Sequence, residues 1–319
     1  MAQYKVYVTD GRHASYDIER VMLSEIGAEL EVLQCATEDD LMRRCADADA
    51  LLLDMAPMTA KAVSALTRCR LINRYGVGYD NVDLSACTAR GIQVTNVPDY
   101  CAEDVSDHAL ALLLACLRDV ARRDRLVRQG QWNIQRTSFR LAGKTLGILG
   151  FGRIARALAR KCAGFGLEKI LVYDPYVSAE ACAQLGVEKG ELTDVLRQAD
   201  FLSLHMPVTP ETTGMLNRDT LALMKPTAIV VNTGRGPLID DEAMVEALRE
   251  GRILCAGLDT HNREPLPAGS PYFGLDNVVL TDHTAYSTEE AVRELKVKSA
   301  RNVINALTGK APVYPVNKL

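Results

Sequence analysis

The stretch "GKTLGILGFGRIA", residues 143–155, decides the fold. It begins as an apolar strand, turns through Gly150-Phe151-Gly152, and opens the amphipathic pattern "RIARALARKCAGF". A strand, a GxGxxA turn and a helix in this order form a dinucleotide-binding fingerprint. Gly150 permits the tight turn, Gly152 leaves a pyrophosphate room against the backbone, and Ala155 lets helix and strand pack closely. The first N–H groups of the helix, at Arg153 and Ile154, then offer partial positive charge to the phosphates. The next strand, "KILVYD", ends in Asp174, 22 residues after Gly152. A carboxylate there accepts from a ribose diol and repels a 2′-phosphate, so the pattern selects NAD over NADP.

Working outward, short apolar strands alternate with helical spacing along most of the chain. "YKVYVTD", "ADALLLD", "LINRYG" and "IQVTNVP" predict a first series of strands, with helices over "YDIERVMLSEIGAE" and "DLMRRCADA". "KTLGILG", "KILVYD", "DFLSLH", "AIVVNT", "ILCAGLD" and "NVVLT" predict a second series. Near-continuous valine, isoleucine and leucine runs separated by helices indicate parallel sheets covered on both faces. The expected fold class is therefore α/β, with two doubly wound domains. A nucleotide-binding domain of Rossmann type is expected over residues 100–288, inserted in a flavodoxin-like outer domain of residues 1–99 and 289–319. A single long helix is expected from about Glu103 to Gln129, and a terminal one from Glu289 to Leu307 that returns to the outer domain.

Composition narrows the function. The 319 residues are 48% hydrophobic and 24% charged, enough for two cored domains. A net charge of −4 without a basic stripe argues against nucleic acid. The run "ALALLLACL" is too short to span a bilayer, and "MAQYKVYVTD" has no signal-peptide core. Nine cysteines without a CxxC pair suit reduced thiols in the cytoplasm, and neither they nor the five histidines show metal-type spacing.

In an open parallel sheet, ligands bind at the carboxyl ends of the strands. "VVNTGRGPLID" delivers Thr233, Gly234 and Arg235 to such an end, "AGLDTHNREPLP" delivers Asp259 and Glu264, and "NVVLTDHTAYS" delivers His283. Reducing a 2-oxo acid needs a hydride donor, a proton donor for the carbonyl oxygen and an anchor for the carboxylate. An imidazolium can give the proton, a neighbouring carboxylate can orient and charge it, and an arginine fork suits the carboxylate.

The chain resembles the D-isomer-specific 2-hydroxyacid dehydrogenases over nearly its whole length, through "RYGVGYDNVD", "NVPDYCAEDVSDHALALLLA", "GKTLGILGFGRIA", "YDPY", "LHMPVTPET", "VNTGRG", "GLDTHNREPLP" and "LTDHTAYSTEE". "NRYGVGYDNVD" and "APVYPVN" are most similar to the branch that includes C-terminal-binding proteins and their bacterial relatives. The resemblance implies a catalytic triad of Arg235, Glu264 and His283. It implies cofactor contacts from His205, Pro207, Thr212, Thr233, Gly234, Arg235, Asp259, His283 and Ala285, with Asp259 at the nicotinamide carboxamide. Substrate contacts are implied for Arg74, Val77, Gly78, Arg235 and Tyr286. It further implies a homodimer formed through the nucleotide domain and an active site in a cleft that closes by hinge motion. Trp132 and His108 are expected in packing or dimer contacts, and Cys101 as a packed thiol.

Two alternatives stand beside this expectation. One is a 3-phosphoglycerate dehydrogenase, although the chain ends at "PVNKL" without room for the regulatory domain many of those carry. The other is an NADH-sensing module that recruits protein partners. Three departures from the family pattern border the expected pocket: Asp282 stands where members usually have proline, Tyr286 where the branch has tryptophan, and Thr260-His261 in place of valine-phenylalanine. If Asp282 faces His283, it over-stabilises the imidazolium and raises the pH optimum for reduction.

Overall fold

Apolar strands buried on both faces build two parallel sheets, one in each of two units. The computed structural model describes residues 3–135 and 138–319. The chain divides into a unit of Met1–Tyr100 with Thr288–Leu319 and a unit of Cys101–Ser287.

The first unit runs β1 (Tyr4–Val8), α1 (Asp17–Ser24), β2 (Ala28–Val32), α2 (Glu38–Arg44), β3 (Ala50–Leu53), α3 (Ala60–Ala65), β4 (Leu71–Arg74), α4 (Leu84–Ala89) and β5 (Gln93–Thr95). Its strands lie parallel in the order β2-β1-β3-β4-β5, the flavodoxin-like arrangement. β3 reads "ALLL" and is buried at every position, as a central parallel strand must be. The carboxylate of Asp10, just past β1, accepts from the N–H groups of Asp54, Met55 and Ala56 just past β3 (3.1, 2.6 and 2.9 Å). That clamp shapes the strand-end loops at the switch point of this sheet.

The second unit runs α5 (Ala102–Arg118), α6 (Val120–Arg128), β6 (Thr145–Leu149), α7 (Arg153–Cys162), β7 (Lys169–Tyr173), α8 (Ala179–Ala183), β8 (Glu188–Lys189), α9 (Leu192–Gln198), β9 (Phe201–Leu204), α10 (Arg218–Leu221), β10 (Ile229–Asn232), α11 (Asp241–Arg249), β11 (Cys255–Leu258) and β12 (Val278–Leu280). Its seven parallel strands are ordered β12-β11-β10-β9-β6-β7-β8. The chain starts at β6 in the middle, winds out to β8, crosses back to β9 and winds out the other way. The crossover puts a switch point between β6 and β9, where this class of sheet binds ligands. The chain then returns to the first unit as α12 (Glu289–Leu307), which packs on α1, β3 and β4.

Two local expectations are corrected, and two strands come in addition to those expected. Residues 16–29 were expected to be helical throughout, but α1 stops at Ser24, Gly27 turns at φ +69°, and β2 follows. β2 is an edge strand with Leu30 buried between exposed Glu29 and Glu31, so it lacks the continuous apolar run that marks its neighbours. The single helix expected over 103–129 is two helices, because Asp119 adopts φ +56° and ends α5. The two-residue strand β8 carries too little pattern to be read from sequence.

Glycine decides one packing contact that bears on the site. A Cβ on Gly257 of β11 would lie 2.9 Å from Leu112 Cβ and 3.4 Å from Cys116 Sγ. Its absence lets α5 lie directly on β11, which brings His108 of α5 to the far end of that sheet. Among the described residues, no helix is long and apolar enough to cross a membrane.

Candidate active site

Every residue proposed for the nucleotide comes from the carboxyl edge of the seven-stranded sheet. After β6, Gly150 turns at φ +86°, and its N–H donates to Tyr173 O (2.8 Å). A Cβ there would sit 2.8 Å from Met206 Cγ and 2.9 Å from the His205 backbone, so only glycine fits. Gly152 differs: a Cβ on it would meet no protein atom within 4 Å. The space over this backbone is open, and α7 starts there without a side-chain cap, leaving its first N–H groups for a ligand. Ala155 is fully buried beneath. Arg153 is exposed and Ile154 half-buried. Asp174, past β7, accepts from Phe151 N and from Tyr176 N (both 2.8 Å), which ties the acid to the glycine loop.

Past β9, His205 exchanges a hydrogen bond with Ser203 Oγ (2.8 Å), while its Nδ1 is buried without a partner. Thr212 Oγ1 donates to Pro207 O (2.7 Å) and accepts from Thr209 N (2.8 Å), so Thr212 and Pro207 close their own loop. Thr233, past β10, is buried with its hydroxyl unpartnered. The open backbone at Gly152, the uncapped helix start and these two orphaned polar atoms fit a dinucleotide laid along this edge.

Burial pushes the His205 imidazole down to about 4. The unfolded chain takes its proton near pH 6.5. The folded state therefore binds fewer protons between those values, and stability falls as pH drops through that window. His13, held at about 4 first by burial and then by Lys296 and Arg12, acts in the same direction in the other unit. His205→Asn should recover about 1–3 kcal/mol of the loss between pH 6.5 and 4, read from denaturant midpoints, while His13 keeps its share.

His283 lies three residues past β12 in a left-handed conformation, φ +58°. Its Nδ1 is 2.7 Å from Glu264 Oε2. Glu264 Oε1 accepts from His261 N (2.9 Å). Burial pushes the Glu264 carboxyl up. The bonds from His283 and the His261 amide, with the charge of both imidazoles, outweigh burial and hold it below the usual glutamate range. The Tyr286 ring stands edge-on to His283, 6.4 Å between centroids. Arg235, at the neighbouring strand end, donates from Nη1 to Gly234 O (2.8 Å). Its loop is pinned by fully buried Asn232, whose Nδ2 donates to Arg235 O (2.8 Å) and whose Oδ1 accepts from Gly234 N (3.0 Å).

Asp259 turns inward and is fully buried. It accepts from Thr281 Oγ1 (2.7 Å), Thr284 N (3.0 Å) and Ala285 N (3.2 Å), and its carbonyl accepts from His283 N (2.8 Å). The condition that Asp282 face His283 is not met. Asp282 Oδ1 accepts from Thr284 Oγ1 (3.0 Å), and the carboxylate paired with His283 is that of Glu264.

His261, expected only to border the pocket, and Gly236, given no role in sequence, complete the geometry. His261 Nε2 donates to Thr281 O (2.8 Å), joining the Glu264 loop to the end of β12. Gly236 packs so tightly on that loop that a Cβ would fall 2.1 Å from His261 C and 2.3 Å from Asn262 N. "TGRG" displays the glycine, but what it packs against is a tertiary fact.

In the first unit, Arg74 ends β4 with Nη1 donating to Tyr75 O (2.7 Å) and Nη2 3.8 Å from Asp54 Oδ1. Arg12 Nε lies 3.9 Å from the other oxygen of Asp54. Val77 and Gly78 follow in a half-buried loop, where Val77 O accepts from Asn96 Nδ2 (2.7 Å). Among the described residues, no group of three or more His, Cys, Asp or Glu side chains could hold a metal ion.

Comparison with known proteins agrees with this geometry. The model of the D-isomer specific 2-hydroxyacid dehydrogenase NAD-binding domain matches residues 110–285. The chain is 42% identical over 289 residues to a glyoxylate reductase of Pyrococcus furiosus, covering 88% of this chain and 85% of that one. It is 37% identical over 316 residues to a D-3-phosphoglycerate dehydrogenase of Methanocaldococcus jannaschii, covering 98% of this chain and 59% of that protein. A crystal structure of a Thermus thermophilus protein, 35% identical, superposes with a TM-score of 0.89 and covers 98% of this chain and 100% of that one. The chain belongs to the D-isomer specific 2-hydroxyacid dehydrogenase family and is an NAD-dependent oxidoreductase of 2-hydroxy acids.

Proposed function

We propose that the protein reduces a small, singly charged 2-oxo acid of glyoxylate or hydroxypyruvate size, with His283 as the proton donor. The 2.7 Å contact of His283 Nδ1 with Glu264 carries this reading. It directs Nε2 as the nitrogen left for substrate. Bound NADH supplies the hydride. His283 Nε2–H gives its proton to the carbonyl oxygen as charge develops there, and Glu264 stabilises the imidazolium and fixes the ring plane. Arg235 holds the substrate carboxylate and polarises the adjoining carbonyl. Substrate contacts from Arg74, Val77, Gly78 and Tyr286 belong to the same proposal. Gly150, Gly152, Arg153 and Ile154 line the pyrophosphate, Asp174 takes the ribose diol, and His205, Pro207, Thr212, Thr233, Gly234, Asp259 and Ala285 shape the remaining walls.

The preference for a singly charged substrate is supported by Asp54. Its carboxylate lies 3.8 Å from Arg74 and 3.9 Å from Arg12, and offsets charge that a phosphorylated substrate would need. A homodimer formed through the second unit is supported by exposed Val120 and Val127 on α6 and by Trp132, which is 78% exposed. A cytoplasmic setting suits nine buried cysteines that form no disulfide.

The test is NADH oxidation against glyoxylate, hydroxypyruvate, pyruvate, a branched 2-oxo acid and 3-phosphohydroxypyruvate. The expected result is a kcat/KM for glyoxylate or hydroxypyruvate at least about tenfold above that for the phosphorylated acid. The reverse order would make the protein a 3-phosphoglycerate dehydrogenase. Tight NADH binding without turnover of any would support the NADH-sensing alternative.

A further inference from the structure

We propose that His108 is a positioning residue for His283, acting through Thr281 and Asp259. The inference rests on the reading of His283 as proton donor.

The donors in this network can be assigned from valence. A carboxylate only accepts, so the Thr281 hydroxyl hydrogen points at Asp259 Oδ1, 2.7 Å away. Thr281 Oγ1 must then accept from its other neighbour, His108 Nε2, at 3.0 Å. His108 therefore carries its hydrogen on Nε2, which also lies 3.4 Å from Asp259 Oδ1. One imidazole on α5 thus braces both the hydroxyl and the carboxylate.

Those two groups hold the turn that carries the acid. The Asp259 carboxylate takes the N–H groups of Thr284 and Ala285, and its own carbonyl takes that of His283. Residues 281, 283, 284 and 285 all bond to Asp259. His283 sits among them at φ +58°, a conformation unfavourable for an L-residue that persists only where the surroundings over-determine it. Asp259 supplies that determination, yet it is fully buried, and a buried carboxylate needs its acceptor sites filled. His108, from α5, bonds the Thr281 hydroxyl and brings Nε2 within 3.4 Å of Asp259 Oδ1. Its perch is fixed, because Gly257 lets α5 lie directly on β11.

The consequence is a division of labour. Glu264 orients the His283 ring from one side, through Nδ1. His108, three hydrogen bonds removed, fixes where the backbone of that residue stands. A shift of about 1 Å in a proton donor can cost 10²-fold in rate, so the second task matters to turnover even without substrate contact.

The experiment compares His108→Ala, His108→Gln and Thr281→Val with wild type and His283→Gln. Glutamine keeps an N–H donor for Thr281, and valine keeps the shape of Thr281 while deleting the relay. We expect His108→Ala and Thr281→Val to lower kcat at least about tenfold with NADH Kd within about twofold of wild type. His108→Gln should recover most of the rate. Hydrogen exchange of the ligand-free protein should show faster exchange at the Thr284 and Ala285 amides in the alanine and valine variants, and wild-type protection in the glutamine variant. Unchanged kcat and unchanged exchange in His108→Ala would overturn the proposal, as would a rate loss that glutamine does not rescue. If His283→Gln itself retains turnover, the proton-donor reading falls. If it collapses while His108→Ala does not, only the positioning role falls.

Discussion

His283→Gln is expected to lower kcat about 10³-fold while leaving the NADH Kd within about twofold, since a positioned general acid contributes roughly 10²–10⁴. Glutamine fills similar volume and can still bond Glu264, so the turn should keep its shape. What disappears is a group able to deliver a proton at the position of Nε2. The His283 N–H bond to Asp259 O is made by backbone and survives the change. Stopped-flow or steady-state NADH oxidation, with fluorescence titration of NADH, separates the two quantities. Turnover within tenfold of wild type would remove His283 from the chemistry. Glu264→Gln should act on the same step more weakly, by about 10–10²-fold, because it deletes the charge that stabilises the imidazolium but not the acid itself. The Glu264 carboxyl is held below its ordinary value, so its pairing is complete above about pH 4.3 and is lost only as pH falls through the lower, folded value.

Gly236→Ala is the second large effect. The added Cβ would lie 2.1 Å from His261 C and 2.3 Å from Asn262 N, and both are backbone atoms that cannot rotate away. One of the two loops has to move. Movement of the facing loop would carry with it the His261 N–H that binds Glu264 Oε1 and the His261 ring that binds Thr281 O. That would displace both anchors of the Glu264–His283 pair, whereas movement of the Gly236 loop would displace Arg235. We expect kcat to fall at least about 10²-fold, with a stability loss of about 1–3 kcal/mol from overpacking. Gly152→Ala provides the control. Its Cβ enters open space, so the apo protein should keep its midpoint while NADH binding weakens. An active Gly236→Ala protein with an unshifted midpoint would mean the contact relaxes at no cost.

The loops explain why chemistry and scaffold are hard to separate here. Asn232, Asp259 and Thr281 each stand at or just past a strand end and spend their polar atoms on the backbone or side chains of the next loop. A strand end therefore positions two things at once: its own exposed residue and the turn beside it. Asp259 is the plainest case. The family resemblance places it at the cofactor, while its carboxylate accepts from three donors of the turn around His283.

By itself the sequence determined the α/β class, the glycine turn at 150–152 and its acid at 174, and the strand ends that carry Arg235, Glu264 and His283. These are local facts. A run of apolar residues, a GxGxxA spacing and a charged residue after a strand are each written within a dozen positions, and physics acts on them at that range. Only the tertiary structure decided which side chains meet. Glu264 is 19 positions from His283, and His108 is 173 positions from Thr281, yet both pairs lie within hydrogen-bonding distance. It also broke the long helix at Asp119, added the edge strand β2, and gave Asp282 to Thr284 instead of His283. Contacts of that kind depend on how strands twist and how closely a helix can approach a glycine, and no spacing along the chain encodes them.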